Sequence, residues 1–104
     1  MYLIRELMFC KPGKVRSMVE KARAMAKIME KSKLGRMRVL TDVSAERYWT
    51  CIMEMEVKSL SAWEKMDQPG GGMSKSDGKK MQTIMKGYHD LVEFGRREIY
   101  KIEG

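Results

Sequence analysis

Tyr48–Val57 reads YWTCIMEMEV, and the two faces of this segment decide the fold. A β-strand sends successive side chains to opposite sides of its sheet. Trp49, Cys51, Met53, Met55 and Val57 form one wholly apolar set, while Tyr48, Thr50, Ile52, Glu54 and Glu56 mix bulk with charge. A strand without a plain solvent face belongs in the middle of a sheet. Helices should cover its apolar side, and something semi-polar the other.

The segments on either side support that reading. Met1–Phe9 alternates as a strand, with Leu3, Leu7 and Phe9 on one face and Tyr2, Ile4 and Met8 on the other. Lys11-Pro12-Gly13-Lys14 ends it, because proline donates no ladder hydrogen bond yet suits a first helical turn. Val15, Met18, Val19, Ala22, Met25, Ala26 and Met29 then keep helical spacing, opposite a face of Lys and Arg. That helix should run to about Lys33 and stop at Gly35, as glycine favours the C-terminal cap.

Arg36–Val43 reads as a second strand, joined to the third by a short link around Ser44–Glu46. Ser61-Ala62-Trp63-Glu64 has the form of a capping box, and Ser59 is the other candidate cap for a short helix there. Pro69-Gly70-Gly71-Gly72 is a flexible break within a polar stretch. A second long helix should start near Ser76 and reach Val92, with Gly87 inside it at a cost of about 1 kcal/mol against alanine. Glu98–Glu103 closes the chain as a strand.

The order is β-α-β-β-α-β with one extra short helix. It predicts an α+β, ferredoxin-like domain over residues 1–104, with a four-stranded antiparallel sheet and both main helices on one face. The other face would then show an apolar patch to water, and patches of that size usually mark an interface. A second copy of the chain is the expected cover, giving a homodimeric α+β barrel.

Composition narrows the function classes. With 43% hydrophobic and 34% charged residues, the chain has the make-up of a globular domain. No apolar run approaches the roughly 20 residues of a membrane span. The start lacks the pattern of a secretory signal, so a cytoplasmic location is expected. Cys10 and Cys51 are too few for a disulfide framework or zinc site and are expected to be buried free thiols.

The net charge of +7 points towards nucleic acid only if it is suitably placed. Most of the excess lies between Lys14 and Lys33, where seven basic residues face only Glu20 and Glu30. A solvated helix face accounts for it. RNA-binding modules share the order of elements, but their third strand carries a glycine-aromatic motif. Here that strand carries Glu54 and Glu56, which would repel phosphate, so nucleic acid is not the expected partner.

The two ends of the chain resemble a known group. Tyr2-Leu3-Ile4-Arg5-Glu6 leading to Lys11-Pro12-Gly13-Lys14-Val15, and Gly95-Arg96-Arg97-Glu98-Ile99-Tyr100, are similar to NIPSNAP-like proteins of the dimeric α+β barrel superfamily. That superfamily includes antibiotic-biosynthesis monooxygenases and haem-degrading enzymes. The resemblance implies two sheets closing a barrel with a cavity in each half. Haem-degrading members use Asn, Trp and His at set places, and this chain contains no Asn. Glu6 stands where NIPSNAP-like sequences tend to carry Arg.

Among candidate site residues, Glu6, Glu54 and Glu56 are expected to converge on the mixed face of neighbouring strands. Paired carboxylates in a partly apolar cavity can act as acid and base. The competing account is an ion network with Arg38, Arg96 or Arg97. Tyr48 and His89, the only histidine, complete the candidate pocket. Gly72 and Gly78 are one residue too far apart for a phosphate loop, and Lys80 stands where Ser or Thr should be.

No metal-ligand spacing occurs. The 12 methionines suit adaptable core filling, or a soft cavity for an apolar ligand. The expected function is binding, and in its stronger form oxidation, of a small apolar or aromatic molecule in the barrel without a tightly held cofactor. The alternative is a dimerisation module with no ligand.

Overall fold

Helix α1 (Val15–Lys31) carries the chain's clearest periodicity, and its stripe packs as that periodicity dictates. Met18, Val19, Ala22 and Met29 are buried, while Arg16, Arg23, Lys27 and Lys31 face solvent. The helix turns out of its last turn at Lys33, whose φ is 59°, and Leu34 N–H donates to Met29 O at 3.0 Å. Lys33, not the expected Gly35, is therefore the first left-handed residue after the helix. The computed structural model describes residues 1–68 and 71–104.

Around α1 lie β1 (Tyr2–Cys10), β2 (Met37–Thr41), β3 (Thr50–Val57) and β4 (Val92–Lys101), with short helices α2 (Leu60–Asp67) and α3 (Lys75–Met85). The strands form one antiparallel sheet in the order β2-β3-β1-β4, which places β1 and β3 centrally as expected. The α+β, ferredoxin-like reading therefore holds. Cys10, Met18, Val19, Ala22, Cys51 and Met53 make the tightest part of the core between α1 and the sheet. Both cysteines are buried free thiols.

Several local expectations are corrected. Strand β3 begins at Thr50, because Trp49 adopts φ 61°, although its carbonyl still accepts from Cys10 N–H at 2.8 Å. Tyr48 and Trp49 are exposed in the segment joining β2 to β3, which is longer than a tight hairpin. Thr50 closes that segment: its N–H donates to Asp42 Oδ1 at 2.8 Å and its hydroxyl to Arg47 O at 2.9 Å.

Ser59, not Ser61, caps α2, accepting from Ala62 N–H at 3.1 Å. The second long helix ends at Met85. Gly87, at φ 82°, turns the chain into a 3-10 turn, Tyr88–Asp90, and β4 runs from Val92 to Lys101, starting six residues before the expected Glu98. Gly87 therefore stops the helix and does not weaken its interior. Of the Pro-Gly-Gly-Gly break, Pro69 and Gly70 lie outside the described residues. Gly71 has φ 42°, and a Cβ there would meet Met66 O at 2.6 Å, so only glycine fits the close approach.

The largest correction concerns β1. In an antiparallel pair, directly opposed residues share a face. Ile4 opposes Met55, Glu6 opposes Met53 and Met8 opposes Cys51, which puts all three on the helix side. Leu3, Arg5, Leu7 and Phe9 lie on the open side with Glu56, Glu54, Ile52 and Thr50. Glu6, expected on the mixed face with Glu54 and Glu56, thus lies with Ile4 and Met8 on the opposite side of the sheet.

Candidate functional site

This placement of β1 separates the expected cluster of carboxylates. Glu54 and Glu56 lie on the open face of the sheet, and Glu6 lies on the helix face. Their side chains cannot converge within one chain. Tyr48 is 84% exposed beside Val15 and Arg16 at the end of β2. His89 is exposed beyond α3, its ring 4.0 Å from that of Tyr88. The five candidate residues are distributed over four separate depressions and do not build one pocket.

On the open face Glu54 is 6% exposed and sits within a row of charges. Arg38, Glu54, Arg5 and Glu98 stand in register across β2, β3, β1 and β4. Arg38 binds Glu54 directly, Arg5 Nε lies 3.4 Å from Glu54 Oε2, and Arg5 Nη1 lies 3.5 Å from Glu98 Oε1. Arg96 Nη2 extends the row to Glu98 at 3.0 Å. Glu54 therefore belongs to an alternating ion network, whereas Glu56 has no ion pair among the described residues. Leu7, Phe9, Ile52 and Phe94 surround the row, with Phe9 and Phe94 at 4.8 Å between ring centroids and Arg47 lying 4.4 Å over Phe94.

The helix face holds the site that the sequence did not place. A half-open cavity of about 180 Å³ lies between the sheet and all three helices. Met25 and Met29 line it from α1, Met37 from β2, and Met53 and Met55 from β3. Met66 of α2, Met73 from the link that precedes α3, and Met81 of α3 supply its other wall. Ile4, Leu34 and Trp63 are the remaining large apolar groups.

One end of this cavity is polar. Glu6 accepts from Arg97 Nε, and Arg97 Nη2 reaches Asp67 at 3.5 Å. The guanidinium also lies 4.9 Å over the Trp63 ring. Arg97 thus joins α2 to β1 and frames the polar end of an otherwise apolar space. The pairing of Glu6 with Arg97 matches the ion-network account of that carboxylate. The methionine spacing on α1 was the one signal of this cavity in the sequence. Trp63, Asp67 and Arg97 carried none, since they meet only once α2 folds over the sheet.

The thiols offer no accessible nucleophile. Burial pushes Cys51 up to about 12, with Cys10 adding to the shift and Arg16 opposing it, and burial also raises Cys10. Among the described residues no three His, Cys, Asp or Glu side chains group to hold a metal ion. No helix of the described residues is long and apolar enough to cross a membrane.

No family profile matches this sequence, and no curated protein does. Solved structures do match its shape. An uncharacterised NIPSNAP domain protein from Burkholderia xenovorans superposes with a TM-score of 0.74 at 12% identity, covering 100% of this chain and 96% of its own. A NIPSNAP family protein from Agrobacterium tumefaciens gives 0.67 at 11% identity, covering 96% of this chain and 90% of its own. A candidate antibiotic biosynthesis monooxygenase from Deinococcus radiodurans gives 0.69 at 10% identity, covering 100% and 94%. At these identities the likeness is one of fold, and it agrees with the resemblance read from the two ends of the chain.

Proposed function

We propose that this chain is a small-molecule-binding protein whose ligand is a compact apolar or aromatic compound held in the methionine-lined cavity. The observation that carries this reading is the cavity itself, about 180 Å³ and lined almost wholly by apolar side chains. A dry apolar cavity of about 150 Å³ is large enough for benzene, so a single ring with small substituents fits. Methionine walls adjust to irregular ligands, and Trp63 offers a ring to stack on. The Glu6–Arg97–Asp67 end would orient a hydroxyl or carbonyl group. Oxidation of the ligand is the finer form of this reading, supported by the monooxygenase candidate among the fold neighbours.

The reading includes a homodimer formed sheet to sheet. Phe94 and Tyr100 are 47% and 49% exposed on the open face of β4. The alternating row Arg38–Glu54–Arg5–Glu98 is self-complementary, since a two-fold axis can set each charge near its opposite.

Titration calorimetry with phenol and toluene tests the ligand reading. Both should bind once per chain, and both should be weakened by Met73→Trp, which fills the space. Arg97→Met should weaken phenol more than toluene. If neither ring binds the unaltered protein, the cavity has no such role. The second reading, a dimerisation module without ligand, is favoured by the ion-paired state of Glu6 and Glu54. It predicts a stable dimer, lowered in melting temperature by Glu54→Gln, that binds neither ring.

A further inference from the structure

We propose that the methionines of the same cavity form a binding site for a soft monovalent metal ion of the copper(I) class. The inference shares the cavity with the organic-ligand reading but does not depend on that ligand. Eight of the chain's 12 methionines line one space, alongside a single leucine and a single isoleucine. A wall serving volume alone is better specified by leucine and isoleucine, whose rotamers are fewer and better defined. The thioether brings what those residues lack, a polarisable sulfur.

The elements that carry these methionines bring thioether side chains to one space from two facing layers. Met25 and Met29 are one turn apart on α1 and so share a face. Met37 and Met55 are directly opposed on β2 and β3, and Met53 lies two residues along on the same side. Thioethers select copper(I) over zinc, magnesium or calcium, which prefer imidazole, thiolate or oxygen. A single charge is also the least costly to bring into an apolar space. At the polar end two carboxylates, Glu6 and Asp67, flank one guanidinium, Arg97, leaving one negative charge to balance such an ion.

The test is an anaerobic titration of the folded protein with copper(I) against a chromogenic copper(I) chelator, repeated with silver(I) as a redox-inert probe. We expect one ion per chain to be withheld from the chelator. Met37→Leu/Met55→Leu conserves volume and apolarity, and should lower affinity about tenfold or more by removing two soft donors. The same variant should keep a cooperative melting transition and an unchanged circular dichroism spectrum, so that a lost ion reports lost donors and not lost packing; toluene binding, measured on the unaltered protein, tests the organic-ligand reading separately. Cys10→Ala and Cys51→Ala should leave metal affinity unchanged.

A second readout needs no substitution. The ε-methyl resonances of the cavity methionines should shift on adding silver(I), and those of Met1 and Met8 should not. The proposal is overturned if no ion is withheld, if affinity falls with the cysteine variants and not with the methionine pair, or if the cavity methyls do not shift.

Discussion

Single backbone angles and single buried groups carry measurable free energy here. Gly87 turns α3 into the 3-10 turn at φ 82°, and a Cβ would meet nothing within 4 Å. The cost of Gly87→Ala is therefore conformational, about 1–2 kcal/mol for a left-handed L-residue, and urea unfolding should show it. Lys33 occupies the same region at φ 59° with a side chain already in place. Lys33→Gly should raise stability by about 0.5 kcal/mol, the relief of backbone strain offset by the greater entropy of the unfolded chain. Cys51 has a pH signature. Its pKa rises from the ordinary 9.0 to about 12 on folding, so the thiol's contribution is intact below pH 9 and lost as pH rises towards 12. Unfolding curves collected from pH 8 to 11 should fall more steeply for the unaltered protein than for Cys51→Ala.

Elements are held to one another by a few long polar side chains laid across apolar contacts. Lys21 of α1 donates from Nζ to Ile84 O at 2.6 Å and to Lys86 O at 2.9 Å, satisfying carbonyls at the end of α3. Bonds from a charged donor contribute about 1.5–3 kcal/mol, and partial exposure places Lys21→Met near the lower value. Hydrogen exchange should quicken in α3 before it does in β1 or β3. The α2 helix has no fully buried residue. Its attachment rests on Trp63 and on the Arg97 contacts to Glu6 and Asp67, which also bound the cavity. The element that closes the candidate site is thus among the least anchored in the fold, which the proposed entry of a ligand would require.

For the molecule as a whole, the sheet divides two different tasks. Its helix side encloses the core and the methionine cavity, and its open side presents Leu3, Leu7, Ile52, Phe94 and the charge row. If a second copy covers that side, a charge placed at its apolar part should block association. Phe94→Glu is expected to convert a dimer to a monomer in light scattering, with its far-ultraviolet circular dichroism unchanged. A monomer from the unaltered chain at micromolar concentration would remove the barrel.

Much of the fold was legible because short-range rules govern it. The stripe of α1, the order of elements and the central place of β1 and β3 follow from period, punctuation and strand pairing. The faces of β1 were not, because both faces of this central strand are largely apolar. Leu3, Leu7 and Phe9 are as apolar as Ile4, Met8 and Cys10, and each set holds one charge, Arg5 or Glu6. Nothing local separates them, and a slip of one position moves every side chain to the other face. Only pairing with β3 sets Arg5 beside Glu54 and Glu6 beside Met53. The sequence alone determined that YWTCIMEMEV supplies a strand with one apolar and one mixed face. Tertiary packing decided where that strand begins, which residues of β1 share each face, and that eight methionines from separate elements line one half-open cavity. Convergence of that kind depends on contacts between residues distant along the chain, and local periodicity does not encode it.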